Sequence, residues 1–538
     1  MRRVLVPFLS LVSLLGFSQA SLGPTEPEIV LPPLILQIED LSVENVEAKL
    51  PPDTELLPPE RNLPVLSEGE IPVGEPSVVP SAPPSDAAQE NQSSQGITAE
   101  AALGAGLENT ILGSLSVKTL GGAPRLSLSF SHLTIDGFNG RAAGSGFDSR
   151  SDDLSGALAF NLGPVESHIQ GSYLDEEDGM QGQGSYRDRL TREASGTADF
   201  SIAALDWLSF AGSFNGGFDT LTLSQAAPLG MSELRLSPGL SAAVRIPYFH
   251  AGLTVDYTYR AAVFGPAGSQ EIHRARPGLS LGLELPASLL LEGTVSWFWS
   301  SMGESFFPFE VSFSGTPLPF LTFKVSGGFR TVPHDISDLI VTYPLVLPQP
   351  LAIPSDSGWA GDAFLEFSLL QDLSISGKLA FMSSAGMLDS SGYPNLVLDT
   401  VNSTGLFVLT ERQATRLTAD FGLRWTAVPG VTLNASWKHE FLDKPAFVPV
   451  DDLEIQAIAV EQSGLFGGNF SVSLRNGTTP SFQLPVASIG GFFSISRSVR
   501  ISLELDDVLQ PALGGPRYGL YPFEEPGFRV IAEAGISF

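Results

Sequence analysis

From Ile97 to Phe538, apolar and polar residues alternate with a period of two, the spacing of a β-strand rather than of a helix. In the last stretch Phe528, Val530, Ala532, Ala534, Ile536 and Phe538 are apolar, and Arg529, Ile531, Glu533, Gly535 and Ser537 lie between them. One strand earlier, Val499, Ile501, Leu503 and Leu505 alternate with Arg500, Ser502, Glu504 and Asp506. Leu417, Ala419, Phe421, Leu423 and Trp425 alternate with Thr418, Asp420, Gly422 and Arg424, and Leu373, Ile375, Gly377, Leu379 and Phe381 with Ser374, Ser376, Lys378 and Ala380. These runs predict strands of about 9–12 residues, the length that crosses a bilayer when tilted.

A soluble sandwich would use shorter strands with the apolar face inside. Here the second face is Ser, Thr, Gly and Ala with scattered charges, which suits a wet lumen, while the apolar face suits lipid. Backbone groups in lipid must all be paired, so such strands close into a barrel. The connections support this. Ten tight turns recur, at 121–124, 162–165, 204–207, 246–249, 285–288, 316–320, 370–373, 427–430, 462–467 and 496–499. Longer polar connections alternate with them, among them 136–152, a highly charged 175–192, 216–230, 265–275, 331–361, 385–414 and 508–526. Short turns on one side and long loops on the other match the asymmetry of outer-membrane barrels. With both ends of the domain on the tight-turn side, ten turns give 22 strands. The expected fold class is all-β: a large closed antiparallel transmembrane β-barrel of about 22 strands, with an extended Pro-rich segment before it.

Composition sharpens this picture. Only 16% of residues are charged, against ~25% in ordinary soluble proteins, and mean hydropathy is +0.15, too low for a bundle of membrane helices. The 29 Lys+Arg against 59 Asp+Glu give a net charge of −30, so a nucleic-acid partner is not expected. There is no Cys, which excludes thiol, disulfide and Cys-ligated metal chemistry. Residues 1–20 read as a secretory signal peptide: Arg2 and Arg3, an apolar run, then Ser18-Gln19-Ala20 for cleavage. Residues 21–96 read as a Pro-rich acidic periplasmic segment, mostly disordered. Residues 21–100 hold 15 acids and two bases, a large share of the net charge. The apolar stretch 29–50 is the part of that segment able to dock on something, as a peptide for a periplasmic partner or as a small insert in the barrel. Residues 97–538 are the barrel.

The chain resembles the barrel of the TonB-dependent outer-membrane receptors. Residues 498–511, SVRISLELDDVLQP, are similar to that family's penultimate strand and the loop that follows it. Residues 521–538, YPFEEPGFRVIAEAGISF, are similar to its closing strand, and 125–138, RLSLSFSHLTIDGF, to an early one. The resemblance implies recognition of the terminal signature Phe528, Val530, Ala532, Ala534, Ile536 and Phe538 by the barrel-assembly machinery. It also implies a plug of well over a hundred residues inside the barrel. Residues 21–96 are too few and too rich in Pro for a compact α/β plug, so the plug is expected to be absent. That leaves the lumen open, filled by 331–361 folding inward, or closed by another protein.

No catalytic, metal or cofactor constellation is expected. The six His (His132, His168, His250, His273, His334 and His439) show no metal-ligand spacing, and an enzyme would need one of them beside an Asp or Ser on the lumen or rim. The Gly467-Gly468 and Gly490-Gly491 pairs fit close strand packing rather than phosphate binding. The candidate functional groups are lumen-facing charges: Lys378, Asp420, Arg424, Arg500, Glu504, Arg529 and Glu533. Mixed signs on neighbouring strands can pair to hold the wall or set a field that selects hydrophilic solutes. The expected function is passage or uptake of a small hydrophilic or chelated solute by an integral protein of a diderm outer membrane, in contact with outer-membrane lipid. A passive porin-like channel and a non-transport surface barrel, such as an adhesin, are the alternatives.

Overall fold

The computed structural model describes residues 96–121, 124–224, 229–265, 268–333, 355–370, 372–385, 395–396, 409–410, 414–442, 449–477, 484–520 and 523–538. The signal peptide and nearly all of the Pro-rich segment lie outside these residues, as do the greater parts of the connections 331–361 and 385–414.

Twenty-two antiparallel strands form one sheet that closes on itself. In chain order they are β1 Gly96–Gly106, β2 Ile111–Leu120, β3 Arg125–Asp136, β4 Asp148–Leu162, β5 Val165–Gly179, β6 Asp188–Leu205, β7 Leu208–Ser224 and β8 Leu229–Ile246. Next come β9 Phe249–Val263, β10 Ser269–Leu285, β11 Leu289–Ser296 with its continuation Phe298–Ser300, and β12 Phe309–Leu318 with the short lead Ser305–Phe306. The rest are β13 Leu321–Val332, β14 Asp356–Leu370, β15 Leu373–Ala385, β16 Ala414–Val428, β17 Val431–Leu442, β18 Pro449–Val460, β19 Phe466–Gly477, β20 Val486–Ser494, β21 Val499–Asp506 and β22 Arg529–Ser537. All ten predicted tight turns join consecutive strands, which is why the count from sequence holds.

The barrel closes where β22 meets β1, from Glu100 opposite Ser537 to Gly106 opposite Ile531. Phe538 seals the end: its N–H donates to the Ala99 carbonyl at 2.8 Å, and its own carbonyl accepts from the Ala99 N–H at 3.3 Å. Gly104 lets the two strands approach, since a Cβ there would lie 2.8 Å from the Ala532 carbonyl oxygen. Gly104→Ala is expected to cost about 1–2 kcal/mol through this backbone clash. It would show as a lower temperature for the shift in gel mobility that accompanies unfolding of the barrel. Gly468 and Gly491 face each other across β19 and β20, in keeping with the packing role expected for the glycine pairs.

Alternation sorts the two faces. Phe130, Leu154, Phe210, Phe214, Leu253, Val311, Leu365, Leu379 and Phe421 all point outward and are exposed, which marks a lipid-contacting belt. Aromatics frame it. Trp207, Tyr248 and Phe320 sit in or beside tight turns, and Tyr173, Tyr257, Trp297, Trp299 and Trp359 sit toward the long loops. Such belts mark membrane–water interfaces.

Strand length departs from expectation. Strands β4 to β10 run 15–18 residues, whereas β20 to β22 have 8 or 9. At ~3.3 Å per residue the longest spans about 60 Å, well beyond a ~25 Å apolar band. Because every strand leaves a tight turn at the same end, the surplus stands on the loop side. The charged stretch 175–192 is accordingly not a loop. Asp175–Gly179 ends β5, Asp188–Arg192 begins β6, and the two pair residue by residue. The stretches 216–230 and 265–275 are likewise mostly strand. Above the membrane both faces are wet, so a strand there loses its apolar signature while keeping its ladder. A buried apolar cluster, Leu221, Met231, Ala262 and Phe264, lies in this raised wall.

Candidate functional site

One row of inward-facing residues crosses seven adjacent strands at a constant level. Arg125, Ala159, His168, Asp199, Ser213, Gly239 and Asp256 are consecutive cross-strand partners from β3 to β9. They line a cavity of ≈ 600 Å³ that also takes in Glu166, Ser241 and Thr254. Gly239 forms its floor: a Cβ there would lie 2.5 Å from the Ser213 hydroxyl oxygen and 2.9 Å from an Asp256 carboxylate oxygen. Both polar groups thus lean over the glycine. On the next strand, Arg276 stands opposite Asp256. No sequence motif announces this row, because each member is a single polar residue in its own strand and only the registers align them.

On the opposite wall a second row alternates in sign. Lys378, Asp420, Lys438, Asp452 and Arg475 are successive partners across β15 to β19, and the Arg475 Nε lies 3.6 Å from Asp452. Of the seven charges singled out in the sequence, two, Lys378 and Asp420, stand opposite each other here. Arg424 stands opposite Ser374 and Asn434. The Arg500 guanidinium lies over the Phe492 ring at 4.3 Å. Arg529 pairs with Asp506. Glu504 and Glu533 sit opposite Ile531 and Ser502. Lys438, Asp452, Arg475 and Asp506 were not among the expected groups, although their alternation is as regular. In β12 to β14, Arg330 bridges Glu310 at 2.9 Å and Asp362.

Higher on the raised wall, Arg260 clamps Glu233 with two hydrogen bonds, Nε to Oε1 at 2.5 Å and Nη2 to Oε2 at 3.0 Å, both side chains fully buried. Two-pronged arginine–carboxylate pairs of this kind fix geometry as well as charge.

Loops tie the barrel mouth. Asn139, in the β3–β4 connection, donates from Nδ2 to Glu524 Oε2 and to the Glu525 carbonyl, both at 3.0 Å. Its Oδ1 accepts from the Gly527 N–H at 3.1 Å. The Gln181 side chain and the Glu524 backbone exchange two hydrogen bonds, at 2.7 and 2.8 Å. These contacts join the β3–β4 and β5–β6 connections to the long β21–β22 connection. Glu108 Oε1 accepts from the Asn139 N–H at 2.7 Å, and burial pushes the Glu108 carboxyl up. Asn139→Ala is expected to cost about 2 kcal/mol locally, with several hydrogen bonds lost at ~1 kcal/mol each. The measurement is hydrogen exchange, in which amides of 510–528 should lose protection.

Among the described residues three His–carboxylate contacts form: His132–Asp152 at 2.6 Å, His439–Asp451 at 2.6 Å and His250–Glu292 at 3.2 Å. His132 shares the outward face of Phe130, and His439 that of Trp437 and Phe441, so both pairs face the barrel's surroundings. His250 faces inward. The His132–Asp152 pair belongs to an outward charged row with Asp175 and Arg192, one step above the apolar row Phe130, Leu154, Tyr173 and Phe218. That boundary marks the membrane surface. Among the described residues no three His, Asp or Glu side chains converge on a metal position, and no helix is long and apolar enough to cross a membrane.

No protein-family model matches the chain, and no curated protein is similar to it. Solved structures are similar in fold. A ferric enterobactin receptor of Pseudomonas aeruginosa superposes with a TM-score of 0.62 at 10% identity, over 83% of this chain and 82% of that one. The siderophore receptor PiuA of Acinetobacter baumannii gives 0.59 at 8% identity over 83% and 82%. The copper transporter OprC gives 0.59 at 12% identity over 82% and 80%. The barrel fold expected from the family resemblance is therefore the fold this chain shares with known receptors.

Proposed function

We propose that the protein is an integral outer-membrane transport barrel, similar in role to the receptors whose fold it shares, and that it passes or takes up a hydrophilic solute. The observation that carries this reading is the contrast between the two faces. The outer belt is apolar and framed by aromatics, whereas the inner wall carries polar and charged rows from β3 to β19. An adhesin needs its loops and the charge pairs that hold the wall, but has no task for the polar cavity along Arg125 to Asp256. Lumen charges such as Lys378, Asp420, Arg424, Arg500, Glu504, Arg529 and Glu533 would act here by pairing across the wall and shaping the field that a solute crosses. Partners in this reading are outer-membrane lipid, the barrel-assembly machinery and a periplasmic protein that engages residues 21–96.

Planar-bilayer conductance tests passage. The purified protein, or the protein with residues 21–95 deleted, is expected to conduct; silence from both would count against a pore. Uptake in cells separates the energised from the passive mode. Uptake that stops when the proton motive force is collapsed would support energy coupling, and uptake that continues would mark a passive channel.

A further inference from the structure

The cavity lies along the β3–β9 wall. Its row of partners crosses seven strands at ~4.8 Å per step, about 29 Å from Arg125 to Asp256, over a volume of ≈ 600 Å³. We infer that this groove is a binding track for a linear, neutral polyhydroxylated solute of oligosaccharide type. This rests on the transport reading above and names its solute class.

Three features point to that class. The lining mixes a donor-only group, Arg125, acceptor-only groups, Glu166, Asp199 and Asp256, and the two-way hydroxyls of Ser213 and Thr254. Each hydroxyl of a sugar both donates and accepts, so it finds a partner at every point of such a wall. Charge excludes the obvious competitors. An anionic chelate would meet three carboxylates, Glu166, Asp199 and Asp256, against two arginines, Arg125 and Arg276. A linear polycation would meet arginines at both ends, Arg125 on β3 and Arg276 opposite Asp256 on β10. Shape does the rest. Gly239 keeps the floor low and lets Ser213 and Asp256 project side by side, the arrangement that holds two neighbouring hydroxyls of one ring.

Isothermal titration of the full-length protein in detergent tests the track without requiring passage. The probes are a linear glucose hexamer, glucose, spermidine and a ferric catecholate chelate. The hexamer is expected to bind at least ten-fold more tightly than any of the other three. Asp256→Asn and Ser213→Ala should each weaken hexamer binding, the first by about ten-fold because it removes a charge-assisted hydrogen bond. Circular dichroism and heat-shifted gel mobility establish that both variants are folded. The inference is overturned if spermidine or the chelate binds as tightly as the hexamer, or if the two folded variants bind the hexamer like the unaltered protein. Hexamer binding without conductance or uptake would leave the track standing and overturn the transport reading. Uptake of another solute without hexamer binding would do the reverse.

Discussion

Asp507→Ala is expected to cost about 3–5 kcal/mol at the barrel mouth, the usual penalty for breaking a buried ion pair from one side. Asp507 is 2% exposed and Arg517 4%. Arg517 donates from Nε to one Asp507 oxygen at 2.6 Å and from Nη2 to the other at 3.0 Å, and Nη2 also reaches the Pro485 carbonyl at 3.2 Å. With the carboxylate gone, the guanidinium stays buried against a single carbonyl. The pair clips the connection after β21 to the residue just before β20, so its loss should release 507–528. Asp507 also has a φ of 43°, a conformation Asp and Asn tolerate better than Ala. Asp507→Asn therefore separates the charge from the backbone: it should reproduce most of the loss if the ion pair dominates. Native-state hydrogen exchange of residues 507–528 reads the local opening energy. A change below ~1 kcal/mol in both variants would show that the loop is held by other contacts.

The second expectation concerns the two faces. Leu379→Arg places a charge in the middle of β15 on the outward belt and is expected to destabilise the barrel by ~2–4 kcal/mol, the cost of arginine at mid-membrane on the lipid face. Ala380→Arg, one residue on, points into the lumen near Asp362, which is its register partner across β14. It should cost close to nothing. Urea unfolding of protein refolded into lipid bilayers measures both. Equal costs for the two variants would mean that the faces have been assigned wrongly, and a cost only for Ala380→Arg would mean that they are reversed.

The fold was largely legible in the sequence because its determinants are local. A strand buried on one side by lipid must alternate, as Leu417 to Trp425 do, and a tight turn must carry turn chemistry, as Pro247-Tyr248 does. Counting turns therefore counted strands. What stayed hidden depends on registers between distant residues. His132 meets Asp152 only because β3 and β4 pair in one register and no other, and the same holds for His168 beside Asp199. Charge-rich strand tops resemble loops in sequence for a related reason. At Asp175–Gly179 acids occupy both faces, and nothing in the local pattern distinguishes a wet strand from a coil. The lumen row from Arg125 to Asp256 is the extreme case, since it draws single residues from six strands and a glycine that matters for the space it leaves.

The unequal strands make the barrel a vessel with a slanted rim. On one side the wall of β4 to β10 rises roughly 20–30 Å farther along the strand than that of β20 to β22, at ~3.3 Å for each of the extra residues. A molecule drifting along the cell surface thus meets a parapet from one direction and a low sill from the other. Bulky reagents, such as antibodies or phage tails, should grip the high side first, at residues 175–192, 216–224 and 229–235. On the low side the loop between β21 and β22 rises instead of the strands, and it reaches across to Asn139 and Gln181, so small solutes should enter past this loop.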